Sequence, residues 1–295
     1  MDIQRLRAFR SVVATGSVRE AANTLGYSPS SVSQQVTALQ RSLGVQLLNR
    51  VGRGVEPTEA GKALAVRVDA LLGELGDLDH FVQGLSQGES SAITIGYFSS
   101  LGTTWLPHII GPLAAQFPGT RIDLNVSDVF DASVRPRPDV QFLVPPADFA
   151  TPAGYDRIPL ATDHYVVAVP QDHPLAAQEQ VPLAALMGQE WIDNDLEDGW
   201  CKRVITDACA AAGFQPQYRI HTQDHRTALG LVAVGVGITV LPLLAAEELP
   251  AGVVQRPVVQ PVPVRSITAF VRRERSQLPI TQRVLELARI QAATG

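Results

Sequence analysis

The sequence predicts an α/β protein carrying a separate helical head: an N-terminal winged helix-turn-helix, a long linker helix, and a larger domain of alternating strands and helices. Three observations carry this. Ser17 to Arg41 reads as two short amphipathic helices broken at a glycine, residues 64–85 repeat apolar side chains in heptads, and beyond residue 91 apolar strands alternate with helical stretches.

Leu6, Phe9 and Val13 mark a first helix. In the second, Val18, Ala21, Ala22 and Leu25 follow the i, i+3, i+4, i+7 spacing of one buried face. Gly26-Tyr27-Ser28 then breaks the period. Ser28 is a good N-cap and Pro29 suits a first helical position, so a third helix starts there, with Val32, Val36 and Leu39 as its buried stripe. At about 100° per residue, Ser30, Gln34, Thr37 and Arg41 fall opposite that stripe, with Ser33 on its flank. The exposed face carries no acid, as a surface lying against phosphates requires. This is the helix-turn-helix pattern. Ser30, Ser33 and Gln34 are expected to reach base edges, with Ser28, Pro29 and Thr37 completing the DNA-binding face. Leu43, Val45, Leu47 and Leu48 then anchor a hairpin whose tip is VGRGV. That is a wing, and its Arg50 and Arg53 suit phosphates or the minor groove.

Charge agrees. The net charge is −5, yet seven arginines against three acids give the first 58 residues +4, leaving −9 on the rest. A basic head on an acidic body is the footprint of one domain that meets double-stranded DNA.

Thr58 N-caps the linker helix expected over 59–88. Leu64, Val68, Leu71, Leu75, Leu78, Val82 and Leu85 are spaced 4-3-4-3-4-3, a coiled-coil seam expected to pair two copies of the chain. A dimer reads two half-sites where one recognition helix reads too little sequence. The polar stretch 87–91 follows. Strands are then expected at 93–98, 121–126, 139–144, 164–170 and 237–241 and in SITAFVRR. Helices are expected from Trp105 to Phe117, near 182–187, over 199–212, near 226–234 and at the C-terminal end.

Other classes fit poorly. Ala228 to Ala246 lacks charge over 19 residues, but Gly230, Gly235, Gly237 and Pro242 interrupt it, so a buried helix, turn and strand explain it better than a membrane span. The opening MDIQRLRAFR has no apolar signal-peptide core, and two cysteines make no disulfide scaffold, so a cytoplasmic location is expected. Gly235-Val-Gly237 lacks a third glycine and precedes a strand, unlike a dinucleotide fingerprint. His221 and His225 have no clear third ligand. Neither an enzyme nor a metal or cofactor is expected.

The chain closely resembles the LysR-type transcriptional regulators along nearly its whole length. The blocks that carry the likeness are GSVREAANTLGYSPSSVSQQVTALQRSLGVQLLNR, GRGVEPTEAG, ITIGYFSSLGTTWLPHIIGPLAAQFPG, DHYVVAVPQDHPLA, WCKRVITDACAAAGFQP and LVAVGVGITVLP. The resemblance implies a DNA-binding domain over 1–58, a dimerising linker over 59–88, and a periplasmic-binding-protein-like effector domain over 89–295. That domain would have lobe I at 91–160 plus 266–295 and lobe II at 165–263. It also implies homodimers or homotetramers and a small molecule held between the lobes.

The residues support a ligand site independently. Ser99, Ser100 and Thr103 sit where a strand meets a helix N-terminus, an anion-binding arrangement that similar regulators use for effector carboxylates. Ser127, Asp128, Asp195, Trp200 and Thr222 are expected to face them. Because Asp193, Asp195, Glu197 and Asp198 stand on the far side, an amine or zwitterion competes with a carboxylate as the effector. Two prolines in VFDASVRPRPDV also predict a shortened helix before the third strand of the domain. The rival within the family is a peroxide-type redox regulator using Cys201 and Cys209, since LEDGWC resembles the turn that carries the reactive thiol there. Trp200, however, replaces the polar residue expected before that cysteine.

Overall fold

The computed structural model describes residues 2–52, 54–86, 91–131, 136–195 and 199–294, with backbone alone at 74, 77, 79–86 and 91. The chain forms two compact units. One is Met1–Gln87 with Asp131–Arg137, and the other is Gly88–Phe130 with Pro138–Gly295.

The first unit opens with α1 (Ile3–Thr15), α2 (Val18–Leu25) and α3 (Pro29–Leu43). Each starts at the cap the sequence supplies: Asp2, Ser17 and Ser28 accept the N–H groups of Gln4, Glu20 and Ser31. Each ends on a left-handed glycine, and Gly26 at φ 71° makes the turn between α2 and α3. Leu6, Phe9, Val12, Ala21, Ala22, Val32, Val36 and Leu39 close one core. The wing is β1 (Leu48–Val51) against β2 (Gly54–Pro57), antiparallel with Val51 opposite Gly54. Arg53, at its tip, lies outside the described residues.

The linker α4 runs Glu59–Ser86. Thr58 accepts the Gly61 N–H at 3.0 Å and donates to the Gln46 carbonyl at 2.9 Å, which fixes the helix start to the wing. Of the heptad residues, Val68 is buried and Leu64 half-buried in the unit's own core, Leu75 is half-buried, and Leu71 and Leu78 are exposed in the single chain. Val82 and Leu85 lie outside the described side chains.

The second unit contains β3 (Ser91–Tyr97), α5 (Ser99–Thr103), α6 (Trp105–Gln116), β4 (Thr120–Val126), β5 (Val140–Leu143), the long β6 (Tyr155–Pro170), β7 (Val181–Pro182), β8 (Trp191–Ile192), α7 (Trp200–Ala211), β9 (Tyr218–Ile220), α8 (His225–Ala233), β10 (Thr239–Pro242), β11 (Val253–Val259), β12 (Val264–Arg272) and α9 (Pro279–Thr294). Among the described residues these build an eight-stranded sheet in the order β4-β3-β5-β12-β6-β11-β7, with β10 also on β6, and β8 pairs β9 separately. The first half of β6 pairs β12, and its second half pairs β10 and β11. One core gathers Ile93, Ile95, Trp105, Phe142, Val284 and Leu285; another gathers Tyr165, Val167, Trp191, Ile205 and Ile238. These are the cores of two lobes, and β6 and β12 are the strands between them.

The stretch weighed as a membrane span divides into the end of α8, a turn and β10, and no described helix is long and apolar enough to cross a membrane. The helix expected near 182–187 is a 3-10 turn at Leu183–Leu186, and the fourth strand begins nine residues earlier than 164. Between β4 and β5 the described residues hold no helix, and 132–135 lie outside them.

Leu39 is fully buried between the first three helices. Leu39→Ala is expected to destabilise the head by about 2–5 kcal/mol through lost transfer energy plus the cavity left behind. Urea denaturation followed by helix signal measures this, and a change below half a kcal/mol would place the core elsewhere.

Candidate functional site

The surface expected to face DNA lies on α3. Ser28, Pro29, Ser30, Ser33, Gln34 and Thr37 are all exposed, opposite buried Val32, Val36 and Leu39. Ser28 and Ser30 share a hydroxyl contact at 3.0 Å, and Thr37 donates to the Ser33 carbonyl at 2.8 Å. The Ser33 hydroxyl and the Gln34 amide have no partner among the described residues, so their donors and acceptors are open to a ligand. Arg50 is exposed on the wing. One residue that pattern-reading missed is Gln40. Its Oε1 accepts the N–H groups of Leu47 and Leu48, at 2.8 and 3.2 Å, and so locks the wing to α3.

The second candidate site lies where β6 and β12 pass between the lobes. Asp163 and Arg265 are register partners there, both nearly fully buried and joined at 2.8 Å. Arg265 also donates to the Ser100 hydroxyl at 2.8 Å and the Cys201 sulfur at 3.3 Å, and it lies over the Phe98 ring at 5.0 Å. Neither Asp163 nor Arg265 stood out in the sequence.

Beside this pair is a cavity of about 340 Å³. Ser99, Ser100 and Thr103 of α5, with Thr104 just after it, form one wall; His225 and Leu229 of α8, with its cap Asp224, form another; Leu244, Glu247 and Leu249 complete it. The structure therefore brings Ser99, Ser100 and Thr103 together on one cavity, whereas Ser127, Asp128, Asp195, Trp200 and Thr222 do not line it. Each has other contacts. Ser127 donates to the Val129 carbonyl at 2.6 Å. Asp128 accepts the backbone N–H of Ser99; burial pushes its carboxyl up, opposed by that N–H and by Arg265. Asp195 accepts the Lys202 N–H at 2.7 Å and so caps α7. Trp200 packs on Phe149, 4.9 Å between ring centres, and Thr222 donates to Asp224 at 3.3 Å. The buried Asp193 is held by Lys202 at 2.5 Å and by His221 at 3.1 Å, while Glu197 and Asp198 lie outside the described residues. The two described acids of the expected far wall, Asp193 and Asp195, are thus engaged with the protein itself.

Cys201 and Cys209 are both unpaired, on the same helix α7. Burial pushes the Cys201 thiol up and Arg265 pulls it partly back; burial alone pushes Cys209 up to about 11. Among the described residues no group of three His, Cys, Asp or Glu is placed to hold a metal ion.

Residues 3–62 match the model of the bacterial regulatory helix-turn-helix protein, lysR family, and residues 86–293 match the LysR substrate binding domain. The chain belongs to the LysR family. It is therefore a DNA-binding transcriptional regulator with an effector-binding domain, in a family made of transcription regulators. The Escherichia coli K12 "DNA-binding transcriptional dual regulator OxyR" is 31% identical over 275 residues, covering 92% of this chain and 90% of that one. The "Uncharacterized HTH-type transcriptional regulator YybE" of Bacillus subtilis is 28% identical over 243 residues, 82% of each chain. Full-length CbnR complexed with its target DNA has the same fold, at a TM-score of 0.60 and 22% identity, covering 99% of this LysR-family chain and 100% of that one.

Within the cavity, burial and the neighbouring Arg265 hold His225 at about 4, against a weaker opposing pull from Asp224. The folded regulator keeps this imidazole neutral where an unfolded chain, with an ordinary histidine near 6.5, takes up a proton. Stability from His225 is therefore complete above about pH 6.5 and declines as pH falls towards about 4, by about 1–3 kcal/mol. Urea denaturation at pH 7 and pH 4.5 should show that loss, and His225→Gln should flatten it; an unchanged slope would mean that His225 is not held neutral.

Proposed function

We propose that α3 enters the major groove, with Ser33 and Gln34 reading base edges, Ser30 assisting near the helix start, and Ser28, Pro29 and Thr37 lying against the backbone. Arg50 and Arg53 hold phosphates or the minor groove beside them. The observation that carries this is an exposed, acid-free α3 face on which the Gln34 amide has open donors and acceptors. Two protomers pair through the seam of α4, on which Leu71 and Leu78 remain exposed in the single chain, and dimers associate into tetramers on DNA. The protein acts in the cytoplasm by binding and not by catalysis. A small molecule held between the lobes, against Ser99, Ser100 and Thr103, changes how the DNA-binding heads are presented.

A second reading, thiol-based redox control, has a specific observation in its favour: the Arg265 guanidinium stands 3.3 Å from the Cys201 sulfur. Two others weigh against it. Burial favours the unreactive thiol at both cysteines. Eight residues of helix separate them by about 12 Å, so a disulfide would require α7 to unwind. The small-molecule reading is preferred.

Gln34→Ala is expected to relax base preference by about 1–3 kcal/mol at the contacted position, whereas Arg50→Ala weakens all sequences alike and lowers the salt slope by about 1. Titrations on a footprinted operator and its single-base variants separate the two. An unchanged base preference in Gln34→Ala would remove Gln34 from the reading face.

A further inference from the structure

The 340 Å³ cavity has a definite charge preference. Its lining carries three acids, Asp224, Glu247 and Glu248, against one arginine, Arg226, and the Asp163–Arg265 pair beside it is neutral as a unit. The Glu247 carboxyl has no hydrogen bond or ion pair among the described residues. Burial, Asp163 and Glu248 push its pKa up, and only His108 opposes them. Arg226 stands 3.9 Å from Glu248 and Asp224 caps α8, so among the described lining acids it is Glu247 that is left without a partner.

Two further features point to what fills it. The Nδ1 atom of His225 is inaccessible and has no hydrogen-bond partner, although its residue lines the cavity. An orphaned buried nitrogen of this kind calls for a ligand or a bound water. At the start of α5, where an effector carboxylate would otherwise sit, the Ser99 N–H is already taken by the protein's own Asp128. The anion position is occupied from within. The rest of the wall is apolar: Leu229, Leu244, Leu249 and Pro250.

We propose that this cavity binds a small organic cation, a primary amine or guanidine with a short apolar body, whose N–H groups meet Glu247 beside the His225 ring while the body packs on Leu229, Leu244 and Leu249. The proposal rests on the interlobe effector reading and supplies its ligand class. Ser99 and Thr103 bring hydroxyls to the same space, and the volume lies in the range of sites for small molecules.

The test is calorimetric titration of the full-length protein with cyclohexylamine, butylguanidine, cyclohexanecarboxylate and cyclohexanol. Saturable binding of either cation, at least tenfold tighter than the acid and the alcohol, is the expected result. Glu247→Gln and His225→Phe should each weaken that cation at least tenfold, with the melting profile of the free protein used to confirm folding. Glu247 is exposed, so its variant keeps the test decisive if His225→Phe unfolds. If the carboxylate binds and the cations do not, the cavity is a ligand site of opposite charge and the cation proposal fails alone. Cation binding that both variants leave unchanged places the cation elsewhere and overturns the assignment. If no probe binds to protein that still binds DNA, the proposal and the reading of this cavity as the effector site fall together.

Discussion

A buried guanidinium holds the effector domain in its present form. Arg265 and Asp163 face each other across β12 and β6, the strands between the lobes. Removing one partner of such a pair costs about 3–5 kcal/mol, because the other is left charged and buried. Arg265 spends its remaining donors on both sides. Ser100 belongs to α5 in one lobe and Cys201 to α7 in the other, so one side chain registers both. The Asp163 Oδ1 atom also accepts the Leu244 N–H, which holds the turn after β10 against the same point. The cavity walls are therefore positioned by a charge pair that lies beneath them.

The head is ordered by smaller forces. Its helices are 13, 8 and 15 residues long, too short to persist alone, and they depend on caps and one shared core. Gln40 does for the wing what Arg265 does for the lobes: one side-chain oxygen takes two backbone N–H groups from the chain entering β1. That contact sets the spacing between α3 and the wing.

How legible was this in the sequence? The helices were read well where capping residues flank a 3.6-residue apolar period, as at Ser17, Ser28 and Thr58. The first half of β6 and all of β11 were not anticipated, because Pro159 and Pro257 interrupt them and charged residues mask their alternation. Pro159 sits where the β6–β12 register shifts, a place a strand tolerates proline. The hydroxyls of the cavity were legible because a strand-to-helix junction is a local feature. Glu247 and Asp163 carry no local signal, and His225 was considered only as a metal ligand. Their significance arises only when residues 64 to 148 positions beyond Ser99 fold towards it. Conversely, Asp195 and Trp200 were singled out for chemistry, but the fold uses one as a cap and the other as packing.

That packing has a mechanical consequence. Trp200 stands at the first turn of α7 and lies on Phe149, itself packed against Phe270 of β12. Swinging the lobes apart at this point bares two aromatic faces to water, at about 25 cal/mol for every Å² exposed. That cost favours the packed arrangement: an aromatic contact lies on one flank of Arg265, and the hydroxyl-lined cavity lies on the other.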